Sequence, residues 1–349
     1  MIFPPDEPNL AAAAETLRRG GLVAIPTETV YGLAANAYDA DAVAKIFVAK
    51  GRAAVNPLIV HVAGPEQISR AAQWPLEEAP GGYFDALRVF WPGPLTLVLP
   101  KNDRVAKNVT PGLDTVAVRV PAHPVALRLL ELCDFPLAAP SANVSLHISP
   151  TTAEHVQGDL GDSVEIILDG GPCEQGIEST IVTLAASPPR LLRHGAVPAE
   201  VIAERLALDL ATLLRPAPDA ESNASALPAP GMLSRHYAPR TRLVLADALR
   251  GATSEQDAEL PHRVGLLLAG SWPADIDLHP SRFVHIEQLG LGQGDEANSM
   301  EVAARQLYAA LRRLDEARLD LVIATPCAET GLGRAIMDRL RRAASGGWT

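Results

Sequence analysis

Short apolar runs bounded by proline and glycine recur along the first two hundred residues, and helical patterns lie between them. Such runs are typical of buried strands, and apolar residues at helical spacing indicate amphipathic helices. Alternation of the two predicts an α/β domain with a mixed, twisted sheet. The predicted strands are GLVAIP (21–26), PLIVHV (57–62), LTLVLP (95–100), TVAVRVP (115–121), PLAAP (136–140), EIILD (165–169), STIVTL (179–184) and LLR (191–193), and the predicted helices cover 9–19, 39–50, 123–133 and 198–207.

The pattern breaks once, in a stretch rich in proline, alanine and serine at residues 215–239. A segment of this composition without apolar periodicity reads as a linker. We therefore predict a first domain over residues 1–208, a linker over 209–240 and a smaller α/β domain over 241–349. In the last of these, TRLVLA, RVGLLLAG, FVHI and DLVIATP predict strands, and residues 298–316 and 333–344 predict helices.

The composition of the chain argues against several classes of protein. The 349-residue chain has a formal net charge of -11, which disfavours a protein that coats nucleic acid over its whole surface but allows a local basic pocket. No apolar run approaches the ~20 residues that span a bilayer, and the start lacks a basic signal region, so a cytoplasmic protein without membrane contact is expected. The three cysteines are far apart and predict neither a zinc site nor a disulfide framework.

Several cations lie in or at the ends of predicted strands and helices of the first domain. The chain has no phosphate-binding glycine–lysine motif. Lys50 and Arg52 flank a glycine after a helix, where they are either solvated at the helix C-terminus or contact a ligand. Arg119 lies in an apolar strand, so it must pair with an acid or bind an anion. His61 is either a core histidine or a ligand contact.

Small polar residues lie at other predicted loop positions of the same domain. Ser141 and Asn143 follow a strand, at the edge where open α/β sheets bind ligands. Ser149-Pro150-Thr151 reads as a helix N-cap. Ser179 precedes a strand and Arg193 ends one. Together with the other cations, this set suits a polyanion such as a nucleoside triphosphate.

The order of these motifs is more specific than any one of them. PTETVYGL, KGR with NPLIVHV, TVAVRVP, PSAN, SPT and ESTIV together resemble the YrdC/Sua5 family of threonylcarbamoyl-AMP synthases, over residues 10–206. PGMLSRHYAP and the second domain resemble the longer, Sua5-type members. The resemblance implies a twisted open mixed sheet with a concave basic pocket, followed by a smaller Rossmann-like domain.

The resemblance also implies a reaction. L-threonine, bicarbonate or CO2, and ATP would form threonylcarbamoyl-AMP and pyrophosphate in a nucleotidyl transfer. Partner proteins would then move the threonylcarbamoyl group to adenosine 37 of tRNA. Mg2+ would arrive with ATP, and no protein metal ligands are expected.

Roles for individual residues follow from the resemblance. The residues matching the L-threonine pocket are Thr29, His61, Arg119, the backbone of Ala139, and Ser179. Those matching the ATP contacts are Arg52, Asn56, Thr115, Ser141, Ser149, Arg193 and Tyr237, and the set around the reacting phosphates is Lys50, Arg52, Ser141 and Asn143. Tyr237 would make the linker a lid that excludes water from the intermediate.

Two departures and two alternatives accompany the resemblance. Ala53 replaces the usual proline after KGR, and Leu146-His147 replace a glycine-containing turn.

An RNA-binding protein, of the double-stranded RNA or ribosome-associated kind, could use the same pocket, with weak RNA binding also possible for the synthase. A carbamoyl transferase of hydrogenase maturation would carry further modules, including a zinc finger that the cysteines here do not provide.

Overall fold

Two compact units make up the protein, and each is built on its own β-sheet. Unit 1 comprises Met1–Ser145, Ser149–Glu174 and Glu178–Met232, and unit 2 comprises Leu146–Ile148, Gln175–Ile177 and Leu233–Thr349. The computed structural model describes residues 1–75, 82–216, 229–231, 233–249, 261–272, 280–290 and 296–345. Much of the predicted linker, 217–228 and 232, lies outside the described residues, so its bounds stay a prediction.

The described part of unit 1 contains one ten-stranded mixed sheet in the order β1-β8-β2-β3-β7-β4-β6-β5-β9-β10. This confirms the predicted mixed α/β fold. The strands are β1 (Ile2–Phe3), β2 (Val23–Ile25), β3 (Gly32–Asn36), β4 (Ile59–His61), β5 (Leu95–Pro100), β6 (Thr115–Arg119), β7 (Leu137–Ala138), β8 (Ile166–Leu168), β9 (Thr180–Thr183) and β10 (Arg190–Arg193). The helices are α1 (Glu7–Arg18), α2 (Ala40–Lys50), α3 (Tyr83–Leu87), α4 (Pro124–Leu132), α5 (Ala153–Leu160), α6 (Ala199–Arg205) and α7 (Leu210–Leu213).

Strand β3 was not predicted, because its sequence GLAAN consists of residues with low strand propensity. It pairs antiparallel with β2 and β7, and its residues are almost all buried. Helix α7 lies inside the range predicted as linker. Tertiary packing, rather than local preference, decides the structure of β3.

The two faces of this sheet differ. One face carries the main apolar core, which includes Val60, Leu97, Val118 and Val182 from four adjacent strands. Because side chains alternate along a strand, the residues between these positions point to the opposite face. On half of the sheet that opposite face is covered by α1 and α4. The half formed by β4, β6, β5 and β9 carries the polar side chains described below.

Unit 2 has, in its described part, a parallel four-stranded sheet in the order β11-β14-β12-β13. No helix among the described residues is long and apolar enough to cross a membrane. The strands are β11 (Leu243–Leu245), β12 (Val264–Leu268), β13 (Phe283–Gln288) and β14 (Leu321–Ala324), and the helices are α8 (Glu296–Glu316) and α9 (Leu332–Ala344).

Candidate active site

A row of polar side chains crosses four neighbouring strands of unit 1. His61 on β4 pairs in register with Arg119 on β6. On β5, Leu97 pairs with Val118 of β6. The antiparallel register therefore puts the preceding residue, Thr96, opposite Arg119. Its hydroxyl is 2.7 Å from the Ser179 hydroxyl at the start of β9. The sheet thus brings together three of the residues predicted for the threonine pocket and adds Thr96.

Arg119 is almost fully buried, and its guanidinium makes three hydrogen bonds. Its Nε donates to Gly93 O at 3.2 Å, Nη1 donates to Thr29 Oγ1 at 2.9 Å, and Nη2 donates to Glu28 Oε1 at 2.6 Å. Its acidic partner is therefore Glu28, and the two side chains are 4% and 5% exposed. A guanidinium has five N–H donors, so two remain, one on each terminal nitrogen. The ion pair leaves Arg119 able to bind a carboxylate.

The loop between β2 and β3 carries Thr27 and Thr29, and it places the Thr29 hydroxyl within hydrogen-bond distance of Arg119. Thr27 Oγ1 accepts the backbone N–H groups of Thr29 and Val30, both at 3.2 Å, and donates to Val30 O at 2.6 Å. The two threonine hydroxyls are 2.8 Å apart. A side chain that bonds its own following backbone fixes a tight turn. Thr27 therefore holds the loop that carries Thr29.

His61 is a neutral imidazole beside Arg119. Burial, followed by the charge of Arg119, lowers the pKa of His61 to about 3. Its Nδ1 is buried and has no hydrogen-bond partner among the described residues. Buried polar atoms are seldom left unpaired. The unpartnered nitrogen is compatible with a ligand contact, and the role of His61 stays a prediction.

Arg193 holds the backbone of Ser179 through hydrogen bonds. Its Nη2 donates to Ser179 O at 2.9 Å, and its Nη1 donates to Pro230 O at 3.3 Å. The neighbouring Ala229 is fully buried and packs on the sheet face that carries the polar row, against Ile59 and Ala117 among others. A linker segment thus reaches this face of unit 1.

A second cluster forms where α2 ends. Gly51 has φ 58, which lets the chain turn in the left-handed conformation after Lys50. The buried Lys50 Nζ donates to Ser141 O and Asn143 O, both at 2.5 Å, and lies 3.4 Å from Asn143 Oδ1. Burial, followed by the charge of Arg52, lowers the pKa of Lys50 well below its ordinary range. A solvated helix end is therefore wrong for this lysine.

Arg52 and Asn56 lie beside this cluster and are buried as well. Arg52 Nη2 donates to Pro57 O at 2.9 Å, and Nε donates to Asn56 O at 3.3 Å. Both polar atoms of the Asn56 amide are buried without a hydrogen-bond partner in the described structure. An amide that offers a donor and an acceptor is suited to a polar ligand. Asn56 is thus a second buried group that fits a ligand contact.

The prediction that Ser149 belongs to a helix N-cap is wrong. The cap of α5 is Thr152, which accepts from the His155 N–H, and Ser149 lies three residues earlier. Ser149 is fully buried and its hydroxyl donates to Glu178 Oε1 at 2.6 Å. Three hydroxyl residues near one helix start, Ser149, Thr151 and Thr152, made the local signal ambiguous. The proposed nucleotide contact of Ser149 stays a prediction.

Three further predicted residues are described here by their own contacts. Ala139 follows β7, and its N–H donates to Ile59 O at 2.9 Å. Thr115 begins β6, four residues before Arg119 and roughly 13 Å away along the strand. Tyr237 belongs to unit 2, where its buried ring stacks on Tyr308 at 5.9 Å. Their roles at a ligand stay predictions.

One departure from the family pattern has a structural counterpart. Leu146 has φ 73, in the left-handed region that favours glycine. The turn that glycine makes elsewhere is therefore made by leucine here. Nothing in the structure explains Ala53, which is exposed.

Sequence reasoning missed three buried residues of this region: Glu28, Thr96 and Glu178. Each is at most 6% exposed and has a hydrogen-bond partner in the site. The signal for Thr96 was present, since it is a polar residue in an apolar strand run. For the two glutamates, the sequence shows acids inside motifs but not their partners, which are distant along the chain.

A glycine next to Ser179 gives a first prediction about stability. A Cβ on Gly195 would lie 2.3 Å from both Ser179 C and Thr180 N, which are backbone atoms that cannot move alone. We expect Gly195→Ala to lower the free energy of unfolding by about 1–3 kcal/mol through overpacking. Urea unfolding measures this.

The matched control is Gly158→Ala in α5, where a Cβ meets nothing within 4 Å. A helix-interior alanine should stabilise by about 0.5–1 kcal/mol. Equal unfolding midpoints for Gly195→Ala and the wild type would contradict the assigned packing.

Comparisons with known proteins identify the family of the chain. A family model described as telomere recombination, covering Sua5, YciO and YrdC, matches residues 15–195. A second model, the C-terminal domain of threonylcarbamoyl-AMP synthase, matches residues 197–345. Threonylcarbamoyl-AMP synthase of Pyrococcus abyssi is 44% identical over 97% of this chain and 94% of its own. That of Bacillus subtilis is 40% identical over 98% and 94%.

A solved structure supports the same conclusion. The crystal structure of P. abyssi Sua5 complexed with L-threonine has a TM-score of 0.81 and 41% identity to this chain, and the match covers 99% of this chain and 96% of that one. The resemblance drawn from the motifs is therefore confirmed. The chain belongs to the family of threonylcarbamoyl-AMP synthases, in the long Sua5 form that carries a second domain.

Proposed function

We propose that the protein is an L-threonylcarbamoyladenylate synthase, a nucleotidyltransferase that joins L-threonine, bicarbonate or CO2, and ATP and releases pyrophosphate. The observation that carries this is the buried Arg119, which keeps two donors beside a neutral His61 with an unpartnered Nδ1. A guanidinium fork suits an amino-acid carboxylate. The complex of the archaeal relative with L-threonine supports the same substrate.

The chemistry begins with the threonine amine, which adds to CO2 and loses a proton to give a carbamate. Arg119 holds the carboxylate, while Thr29 and Ser179 contact the remaining polar groups. Since His61 is neutral, its Nδ1 can accept a hydrogen bond from the amino group. Holding the reactants in one geometry replaces a collision in solution.

In the second step a carbamate oxygen attacks the α-phosphorus of ATP, and the bond to pyrophosphate breaks. Transfers at phosphorus depend mainly on positioning and charge neutralisation. Arg52 and the loop of Ser141 and Asn143, held by Lys50, are the groups we assign to this step. Arg193, Asn56, Thr115, Ser149 and Tyr237 complete the proposed ATP contacts.

Mg2+ is part of the proposal as a companion of ATP. Among the described residues, no group of three histidine, cysteine, aspartate or glutamate side chains could hold a metal ion. A Mg2+ ion that accompanies ATP would be bound mainly by the phosphates and water. It would neutralise phosphate charge during transfer.

The proposal extends to location and partners. We place the reaction in the cytoplasm, and we expect the product to pass to threonylcarbamoyl-transferase proteins that modify adenosine 37 of tRNA. The product is an acid anhydride of a carbamate and a phosphate, so an acceptor amine can displace AMP. The linker would shield this labile species from water.

The test is pyrophosphate release from ATP by the purified chain, with threonine and bicarbonate each present or withheld. Release that requires both is the expected result. Release that ignores threonine would overturn the proposal. Tight, strongly salt-dependent RNA binding without threonine-dependent release would instead favour the RNA-binding alternative.

A further inference from the structure

We propose that Glu28 is a positioning residue of the threonine pocket, which acts on the substrate through Arg119 and sets the charge that the pocket presents. This inference rests on the proposed function. It concerns a residue that the motif comparison left without a role. Three observations carry it: the contacts of the carboxylate, its burial and the charge state of its neighbours.

The carboxylate of Glu28 clamps the end of β6 at two points. Its Oε1 accepts from Arg119 Nη2 at 2.6 Å, and its Oε2 accepts from the backbone N–H of Ala122 at 3.1 Å. One contact holds the guanidinium and the other holds the chain that follows it. Thr29 accepts from Nη1 and Gly93 accepts from Nε, so each of the three guanidinium nitrogens donates one hydrogen bond within the protein. Glu28 therefore decides where the remaining N–H donors point.

The same carboxylate balances the charge of Arg119. The two side chains are 4% and 5% exposed, so water screens their charges little. His61 beside them is neutral because burial lowers its pKa to about 3, and burial raises the pKa of the nearby Cys173 thiol to about 12. Glu28 thus supplies the negative charge next to Arg119. A balanced pocket accepts a zwitterion more readily than one with an isolated positive charge would.

This arrangement predicts a change in ligand preference. A pocket with Glu28→Gln keeps a hydrogen-bond acceptor for Arg119 but has an uncompensated guanidinium. It should favour an anion without an ammonium group over an amino acid. The suitable probe is 2,3-dihydroxybutyrate, which has the carboxylate and the side chain of threonine but a hydroxyl in place of the amine.

The first experiment uses the intact chain and threonine-dependent pyrophosphate release. We expect Glu28→Gln to raise the KM for threonine roughly tenfold or more, with the KM for ATP unchanged. The inhibition constant of 2,3-dihydroxybutyrate should rise less than the KM for threonine. The control is Glu7→Gln, which removes the acid of an exposed pair with Arg128 and should leave both substrates unaffected. An unchanged KM for threonine in Glu28→Gln would overturn the inference.

The second experiment tests whether Glu28 acts through Arg119. In an Arg119→Met background, Glu28→Gln should cause no further loss in kcat/KM for threonine, since the group it positions is gone. A further loss of the same size as in the wild type would show an independent role and overturn the inference. The double variant should fold at least as well as Arg119→Met, because it lacks the carboxylate that Arg119→Met leaves buried without its cation. A wild type whose pyrophosphate release ignores threonine would overturn both this inference and the proposed function.

Discussion

Arg119→Met should reduce kcat/KM for threonine by roughly 100-fold or more, because truncating one partner of a buried charge pair costs about 2–5 kcal/mol. In the proposed site, the guanidinium binds the substrate carboxylate through the two N–H groups that remain after Nη1 and Nη2 each donate once within the protein. Methionine has a similar length without the charge. The variant should also lose stability, since Glu28 would remain buried without its cation.

Two measurements separate these effects. Steady-state pyrophosphate release gives kcat and the KM for threonine, and thermal unfolding gives the change in stability. The matched control is Arg128→Met, which breaks an exposed ion pair with Glu7 and should change neither by much. Arg119→Met with threonine kinetics like those of the wild type would show that the carboxylate binds elsewhere.

Much of this site could be predicted from local pattern. An arginine in an apolar strand requires a partner, and the structure supplies one. Arg119 and Thr115 are four residues apart on β6, so the alternation of side chains along a strand puts them on one face. Which acid meets Arg119 could not be predicted, because Glu28 lies 91 positions away and only the strand order brings them together.

Other features depend on packing rather than on local preference. The strand GLAAN has small residues that suit close contact with β2 and β7, but nothing in its own sequence favours a strand. Ser149 and Thr152 are equally good caps by residue type, and the position of the helix decides between them. Lys50 and Arg52 follow a helix end of ordinary appearance. The distant loop of Ser141 and Asn143 covers Lys50, whereas Arg52 is buried beside Asn56 and Pro57, to whose carbonyl groups it donates.

The site thus has two parts with different physical origins. The proposed threonine pocket centres on His61, Thr96 and Arg119 of adjacent strands, so strand register fixes this part of its geometry. The region assigned to the phosphates is built from loops tied to the end of α2. Disrupting the first should affect the KM for threonine, and disrupting the second should affect the chemical step.

Lys50→Met should test this division, with a fall in kcat of roughly 100-fold and little change in threonine binding. The ammonium donates to Ser141 O and Asn143 O, so its removal takes the lysine donor away from both carbonyls. Leaving a buried polar group unsatisfied costs about 1–3 kcal/mol, which is enough to displace the loop. Single-turnover pyrophosphate release measures the chemical step, and calorimetry measures threonine affinity.

The control lies on the same helix. Lys45 Nζ donates to Gly20 O at 2.6 Å, which is also an ammonium-to-carbonyl bond, but away from the loop of Ser141 and Asn143. Lys45→Met should therefore leave kcat close to that of the wild type. A loss of threonine affinity in Lys50→Met equal to its loss of kcat would contradict the division into two parts.

A pH profile extends the test to the charge of Lys50. Because burial lowers its pKa well below the ordinary 10.5, the ammonium loses its proton at a lower pH than an exposed lysine does. Deprotonation removes one of three N–H donors and the positive charge beside the phosphates. We expect kcat to decline on the alkaline side in the wild type and in Lys45→Met. In Lys50→Met this decline should be absent from the residual activity, and its persistence would assign the titration to another group.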